Sequence, residues 1–282
     1  MKHYSCGPLR PSNFQRGISL IELLIGIALG LLTIAVAISA LVISRSLSGA
    51  VSDTTIIQQQ AAHAFRVMGR QIRQAGPIQL DMGADSEAPV AFSFTSGNFN
   101  AVRGEDATDS TGHKVTVAYS HNAEPLYPSG NPGTLLTDCL GSSPDGTLVQ
   151  SAFELRVSKS DPSKRELVCK GKADSTQPVA ENVAEFEVRY LLQTSEATAG
   201  DPHIAYVTAS SVGNKWADVT AVEICLVLYG HEHVDMPDGA SYTGCGGSSV
   251  DITTLPAPRT KRTHLTFRNV FQLRSQGVTG AR

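Results

Sequence analysis

The sequence predicts an α+β fold in which one long N-terminal helix precedes a domain of antiparallel β-strands. Three observations support this. Residues 18–43 form an apolar run with a single charge, Glu22. Apolar residues then recur at helical spacing as far as Ile72. After Pro77, short alternating apolar runs are separated by turn residues, and no helix-length pattern separates them, which favours antiparallel pairing.

The composition is that of a folded protein of modest negative charge. The chain has 282 residues, of which 41% are hydrophobic and 17% charged, and its formal net charge is −3. These values exclude a disordered chain and favour one large or two small domains beyond the apolar run. The negative balance gives no general reason to expect nucleic-acid binding.

The apolar run is long enough to cross a membrane. Residues 18–43 make about 39 Å of helix, against a hydrocarbon core of about 30 Å. Lys2, Arg10 and Arg16 precede the run without any acid, so the N-terminus is expected in the cytoplasm and the chain after Arg45 outside. A secretory signal peptide has a shorter apolar core. A plain signal anchor remains an alternative.

Glu22 is the informative residue of this run. A charged side chain in the middle of a membrane helix costs roughly 2.5–3.5 kcal/mol on insertion scales, so it usually marks function. The residues before and around it, Arg16-Gly17-Ile18-Ser19-Leu20-Ile21-Glu22, resemble the processing site of type IV prepilins. The sequence is therefore identified as a member of that family, with isoleucine at position 18 where the family usually has phenylalanine.

The resemblance implies roles for three residues at this site. A prepilin peptidase would cleave after Gly17, which removes residues 1–17 as a leader peptide and lowers the formal net charge to −6. Ile18 would become the N-terminal residue and the site of N-methylation. The carboxylate of Glu22 would pair with the terminal amine of a neighbouring subunit and set the register of the filament.

The helical pattern continues beyond the apolar run. One face carries Ile57, Ala61, Ala64, Met68 and Ile72, with Phe65 at its margin. Polar residues off that face are Gln58, Gln59, Arg66, Arg70, Gln71 and Arg73. Gly76-Pro77 ends the pattern. We therefore expect a membrane and filament-core helix at 18–43, an amphipathic continuation at 44–76, and a periplasmic β-rich domain at 77–282.

Seven strands are predicted in the β-rich domain from alternating apolar runs. They lie at residues 90–95, 114–119, 152–157, 166–170, 184–192, 219–229 and 262–273. The sheet is expected to pack on the apolar helix face that contains Met68.

The cysteines predict disulfides in an oxidising compartment. Cys6 lies in the leader, and Cys139, Cys169, Cys225 and Cys245 remain. Four cysteines allow three pairings. We favour Cys139–Cys169 and Cys225–Cys245 because each closes a local loop, with four buried thiols as the alternative.

Three later segments resemble the larger minor pilins of the PilW type. They are residues 138–141, 167–171 and 219–226, and the closing stretch at 263–270 resembles the last strand of that group. The resemblance also supports the Cys139–Cys169 pairing. It implies a type IV pilin-like fold and a non-enzymatic subunit at the inner membrane that primes pilus assembly in a minor-pilin complex at the filament tip.

The implied partners are other minor pilins, the major pilin, the prepilin peptidase and the inner-membrane assembly machinery. The nearest alternative is a minor pseudopilin of a type II secretion system, which shares the leader, helix and sheet. A second alternative is a surface adhesin or DNA-binding subunit. It would use the basic C-terminal residues Arg259, Lys261, Arg262, Arg268, Arg274 and Arg282. We interpret these charges instead as those of a solvated edge strand.

Two clusters contain metal-ligating residue types, but neither predicts a metal site. His231, His233 and Asp235 alternate along an extended stretch, but Pro237-Asp238-Gly239 follows, which favours a solvated hairpin loop over a zinc site. Asp81, Asp85 and Glu87 lack the ligand series of a calcium loop. With no catalytic constellation either, we expect no cofactor and no enzymatic activity.

Overall fold

The computed structural model describes residues 17–76, 78–81, 91–94, 100–106, 114–120, 124–125, 132–143, 148–171, 175–195 and 202–273. The chain divides into two compact units, the first ending at Ser48 and the second beginning at Gly49. The first unit contains the N-terminal part of helix α1 (Leu20–Gln74), and the second contains its C-terminal part and the β-strands.

The second unit contains a five-stranded antiparallel sheet. Its strands are β3 (Val102–Glu105), β4 (Lys114–Ser120), β7 (Leu148–Val157), β8 (Arg165–Lys170) and β9 (Thr176–Ala180), paired in that order. Three short two-stranded ladders accompany it: β1 (Ile78–Asp81) with β2 (Ala91–Phe94), β5 (Glu124–Pro125) with β6 (Pro132–Gly133), and β13 (Ser241–Thr243) with β14 (Ser249–Asp251).

A four-stranded antiparallel sheet follows along the chain. It consists of β10 (Val183–Ser195), β11 (Pro202–Val207), β12 (Val219–Tyr229) and β15 (His264–Gln272), in the order β11-β10-β12-β15. A short helix α2 (Ala209–Val212) and a 3₁₀ turn (Trp216–Asp218) connect β11 to β12. The predicted α+β class, a long helix followed by antiparallel sheets, is confirmed.

The main core lies between the C-terminal part of α1 and the two larger sheets. Five predicted helix positions are buried in it: Ile57, Ala61, Ala64, Met68 and Ile72. Inward-facing side chains of β10 and β12 complete it, among them Phe186, Val188, Ile224 and Leu226.

One prediction for the helix was wrong. Gln71 was assigned to the polar face, but its side chain is only 2% exposed. It lies beside the buried face because position 71 follows Met68 by three residues, about one helical turn, and its amide donates to the Thr137 carbonyl. A side chain that finds hydrogen-bond partners can be buried where its polarity alone predicts exposure.

Each of the seven predicted segments overlaps a strand, and 219–229 matches β12 at both ends. Among the strands of the two larger sheets, the sequence did not indicate β3, β9 or β11, and most strands of the short ladders were not predicted either. β3 has four residues, two of them charged, and β9 contains Pro178. Both lie at the edges of the five-stranded sheet, and β11 lies at an edge of the other, where packing requires little apolar alternation.

Candidate functional site

The N-terminal end of α1 is organised by the side chain of Glu22. Its carboxylate accepts hydrogen bonds from the backbone N–H of Ser19, at 3.1 Å, and from the Ser19 hydroxyl, at 3.3 Å. The Ser19 hydroxyl oxygen in turn accepts the Glu22 N–H at 3.3 Å. This reciprocal arrangement is a capping box, which satisfies backbone donors that would otherwise lack partners.

The capping box was readable from the sequence, because serine followed three residues later by glutamate before an apolar run is its signature. The resemblance to prepilins implies only an intermolecular role for Glu22. The structure adds an intramolecular role, since the same carboxylate stabilises the first turn of the helix and holds a negative charge at its positive end. Gly17 and Ile18 directly precede this turn, and Ile18 is 77% exposed.

The helix segment that follows exposes apolar side chains around its whole circumference. Leu24, Ile34 and Leu41 are each more than half exposed, and so are most of their large apolar neighbours. By length and composition, α1 is the one helix in the described part of the chain that could cross a membrane. Such a surface must be covered by lipid or by other helices.

The first disulfide, Cys139–Cys169, joins the loop before β7 to strand β8. A buried polar relay ties this loop to the helix. The Cys139 N–H donates to the Ser151 hydroxyl at 3.0 Å, and that hydroxyl donates to the Gln71 side-chain oxygen at 3.1 Å. The Gln71 amide donates to the Thr137 carbonyl at 3.3 Å.

Tyr119 completes this contact between the loop and the sheet. Its hydroxyl donates to the Thr137 carbonyl at 2.6 Å. Burial raises the pKa of Tyr119 to about 12, against a lowering effect of the nearby Arg70 guanidinium. The phenol therefore stays protonated and remains a donor at any physiological pH.

The second disulfide, Cys225–Cys245, fastens the long β12–β15 connection to the face of the four-stranded sheet opposite α1. It lies in a second, smaller apolar cluster with Val227, Tyr242 and Ile252. Both disulfides have the pairing that local loop closure favoured.

Charged side chains also hold the backbone of Cys245. Its N–H donates to Glu185 at 2.8 Å, and its carbonyl accepts from the Arg268 guanidinium at 2.7 Å. Glu185 also accepts the Tyr242 hydroxyl at 2.8 Å. Burial, followed by this hydrogen bond, raises the pKa of Tyr242 well above its usual value.

The basic C-terminal residues that the structure describes are partly engaged within the chain. Arg268 pairs with Glu223 at 2.6 Å, and the Glu223 side chain is only 10% exposed. Arg262 donates to the carbonyls of Gly230 and His231. Arg274 and Arg282 lie outside the described residues. Arg262 and Arg268 therefore serve the fold, which weakens the argument that they form a ligand-binding face.

The residues considered for zinc lie on an exposed loop. His231, His233 and Asp235 are all solvent-exposed, and no group of three metal-binding side chains occurs among the described residues. The His231 ring contacts the Asn182 amide at 2.9 Å. The loop is anchored by buried Asp53, which accepts the Glu232 N–H at 2.7 Å. Of the calcium candidates, Asp85 and Glu87 lie outside the described residues.

His264 is buried in the second cluster between two tyrosine rings. Its ring stacks on Tyr242 at 4.7 Å and on Tyr229 at 5.7 Å between centroids. Its Nδ1 lies 2.8 Å from the Arg262 carbonyl, which requires a proton on Nδ1. Its Nε2 is buried and has no hydrogen-bond partner in the described part of the chain. This is the environment of a neutral imidazole.

The free energy of unfolding is expected to fall as the pH drops below about 6.5, the usual pKa of histidine. Burial lowers the pKa of His264, Arg259 lowers it further, and the bond to Arg262 and the charge of Glu185 oppose this. The unfolded chain binds the proton on His264 more readily than the folded chain does. The stabilisation is therefore complete above the pKa that His264 has in the unfolded chain, and it is lost as the pH falls towards the lower pKa of the folded chain.

Urea unfolding between pH 7.5 and 5 measures this loss. A His264→Phe variant, which does not titrate, is expected to show a flatter dependence. The His233→Gln variant keeps His264 and should retain the drop. An unchanged slope in His264→Phe would contradict the assignment.

A long helix that starts as an exposed apolar segment, and whose second part packs against antiparallel sheets, is the type IV pilin-like class of fold predicted from the sequence. Residues 142–275 match the family model of type IV pilus-assembly protein W. The match includes Cys169 and the second disulfide, and it confirms the PilW-type resemblance over that region. These findings support a pilus-related subunit.

Among solved structures, the chain is similar to a type IV-like pilin from Thermus thermophilus. The two share 13% sequence identity with a TM-score of 0.39, and the alignment covers 77% of this chain and 95% of that one. None of the curated proteins matches the chain.

Proposed function

We propose that this chain is a minor pilin, a non-enzymatic subunit that takes part in priming and assembling a type IV pilus within a minor-pilin complex at the filament tip. The observation that carries the proposal is the exposed apolar segment of α1, which begins at the Ser19–Glu22 capping box, in a chain whose residues 142–275 match a pilus-assembly family. Its work is protein–protein contact.

In this proposal the N-terminal segment is processed and then packed. Cleavage after Gly17 creates an amine on Ile18, which is then methylated. Glu22 has two partners in turn. Before assembly its carboxylate is satisfied by Ser19 in the capping box. In the filament it meets the amine of a neighbouring subunit, and a charge pair in low dielectric strongly favours that register.

The rest of the chain serves the same assembly. Residues 18–43 hold the subunit in the inner membrane, with the N-terminus cytoplasmic, and later join the helices of the filament core. Residues 44–76 link this segment to a periplasmic domain at 77–282. That domain contacts other minor pilins and the major pilin, while the prepilin peptidase and the inner-membrane machinery process and extrude the subunit. Twitching motility depends on this subunit indirectly, because motility requires assembled pili.

A pilus count in cells that carry Glu22→Ala tests the proposal. We expect few or no pili, as in cells lacking the gene, because the N-terminal amine of a neighbouring subunit would lose the carboxylate that it pairs with. Mass spectrometry of the wild-type protein should give a mature chain that starts at Ile18. Glu232→Ala is a matched control, since it removes an exposed carboxylate from the other unit and should leave pili in place.

Two results would contradict the proposal. An uncleaved chain beginning at Met1 together with normal pili would leave an anchored domain with another role. A cleaved chain, normal pili and a loss of protein secretion would favour the minor pseudopilin of a type II secretion system. The adhesin or DNA-binding alternative has less support, because Arg262 and Arg268 bind groups of the same chain.

A further inference from the structure

The C-terminal part of α1 carries a basic stripe, which consists of Arg66, Arg70 and Arg73. At 3.6 residues per turn these positions lie on one face of the helix, almost opposite the buried face that includes Met68. All three arginines are exposed, and so is His63 one turn before them. The stripe spans about 10 Å along the helix axis.

Among the residues that the structure describes, no carboxylate lies within ion-pair distance of these three arginines. The helix itself cannot provide one, because residues 54–80 contain no acid. The guanidinium carbon of Arg73 lies 5.6 Å from the centre of the Phe271 ring, a cation–π contact that orients this charge while the residue stays exposed. The stripe is therefore a row of positive charge in a chain with a formal net charge of −3.

The basic stripe disfavours contact with the same helix of a second copy of this chain. Residues 18–74 contain only two acids, Glu22 and Asp53. Asp53 is 3% exposed and already accepts the Glu232 N–H. Glu22 lies at the other end of the helix, more than 40 residues before Arg66. Two identical helices packed through this face would bring arginines together without compensating carboxylates, and like charges at an interface are unfavourable.

We infer that the basic stripe is the docking surface for a non-identical subunit whose helix presents carboxylates three or four residues apart. This rests on the proposed function, because a bundle of parallel helices brings helix faces together. It deepens that function by making the chain dependent on an acidic neighbour and unable to follow itself in the filament. Charge complementarity provides the recognition.

Nucleic acid is the other polyanion that three arginines could bind. The observations favour protein, because the chain is negative overall and repels a long polyanion over more of its surface than it repels a single acidic helix. A stripe one residue wide on a single helix also fits another helix better than a duplex groove.

The test is a pairwise interaction assay in membranes, with each prepilin of the same cells expressed as a full-length tagged partner. Arg66→Glu with Arg70→Glu reverses the stripe and leaves Arg73 on Phe271. We expect the signal with one acidic partner to fall about tenfold, and carboxylate-to-arginine changes on that partner to restore it. Arg66→Lys with Arg70→Lys should retain most of the signal.

A matched control carries Lys159→Glu and Lys215→Glu, which give the same change in net charge at exposed loop positions. Its signal should equal that of the wild type. Resistance to proteolysis, measured on every variant, separates loss of the interface from loss of the fold.

Several results would overturn the inference. These are self-association through the stripe, retention of a linear duplex DNA fragment that the reversal abolishes, an unchanged signal after reversal, or no coupling of the wild type to any prepilin. Failure of the proposed function is seen separately. If deleting the gene removes pili while the reversed stripe leaves pili and coupling intact, the pilin role stands and only the stripe inference fails.

Discussion

Replacing Met68 with alanine is expected to lower the free energy of unfolding of the second unit by about 2–5 kcal/mol. The side chain is fully buried where α1 packs on the sheets. Alanine has a slightly higher helix propensity, but that gain is a few tenths of a kcal/mol at most. The lost apolar contacts and the cavity outweigh it.

Urea unfolding of the full chain in detergent measures this change. Trp216 is the only tryptophan of the chain and packs edge-on against Tyr190 at 5.0 Å, so its fluorescence reports on the core. Gln59→Ala, on the exposed face of the same helix, should shift the free energy of unfolding by less than about 0.5 kcal/mol. Equal effects of the two changes would show that the helix is not docked through the Met68 face.

The Met68 face was predictable because a helix buried on one side leaves a periodic record in the sequence. Met68 and its partners at 57, 61, 64 and 72 recur every three or four residues. The central strand β12 was equally readable, since its alternation and its bounding turns are local features. Both elements are specified by residues that lie close together in the chain.

Gln71 and Asp53 could not be read in this way. Each is buried because a segment far along the chain provides partners: Ser151 for Gln71 and Glu232 for Asp53. Such pairings have no local signature, and polarity predicts exposure. His264 is a similar case, because its burial depends on Tyr242 folding back over the sheet.

At the N-terminal end of α1, more could be predicted from the local sequence. The roles of Gly17, Ile18 and Glu22 rest on a short motif and stay predictions. The capping box follows from the same motif but was not predicted. The basic stripe was visible as charges off the apolar face. Its meaning required the structure, which shows that the few acids of the helix are already engaged.

Replacing both Cys225 and Cys245 with alanine is expected to lower the free energy of unfolding by about 3 kcal/mol, the loop-closure value for a separation of about 20 residues. Alanine avoids burying unpaired hydroxyl groups. The native structure should persist, because Glu185 still accepts the Cys245 position's N–H and Arg268 still donates to its carbonyl. The loss therefore arises mainly in the unfolded state.

This account separates two effects that removal of a disulfide usually mixes. In the double alanine variant, hydrogen exchange in β13 and β14 should change no more than exchange in β4 of the other sheet. Adding Glu185→Gln should then raise exchange selectively in β13 and β14, because the Tyr242 hydroxyl and the N–H at position 245 lose a charged acceptor. If β13 and β14 already lose protection in the double alanine variant, the disulfide itself holds the connection against the sheet, and the charged contacts are secondary.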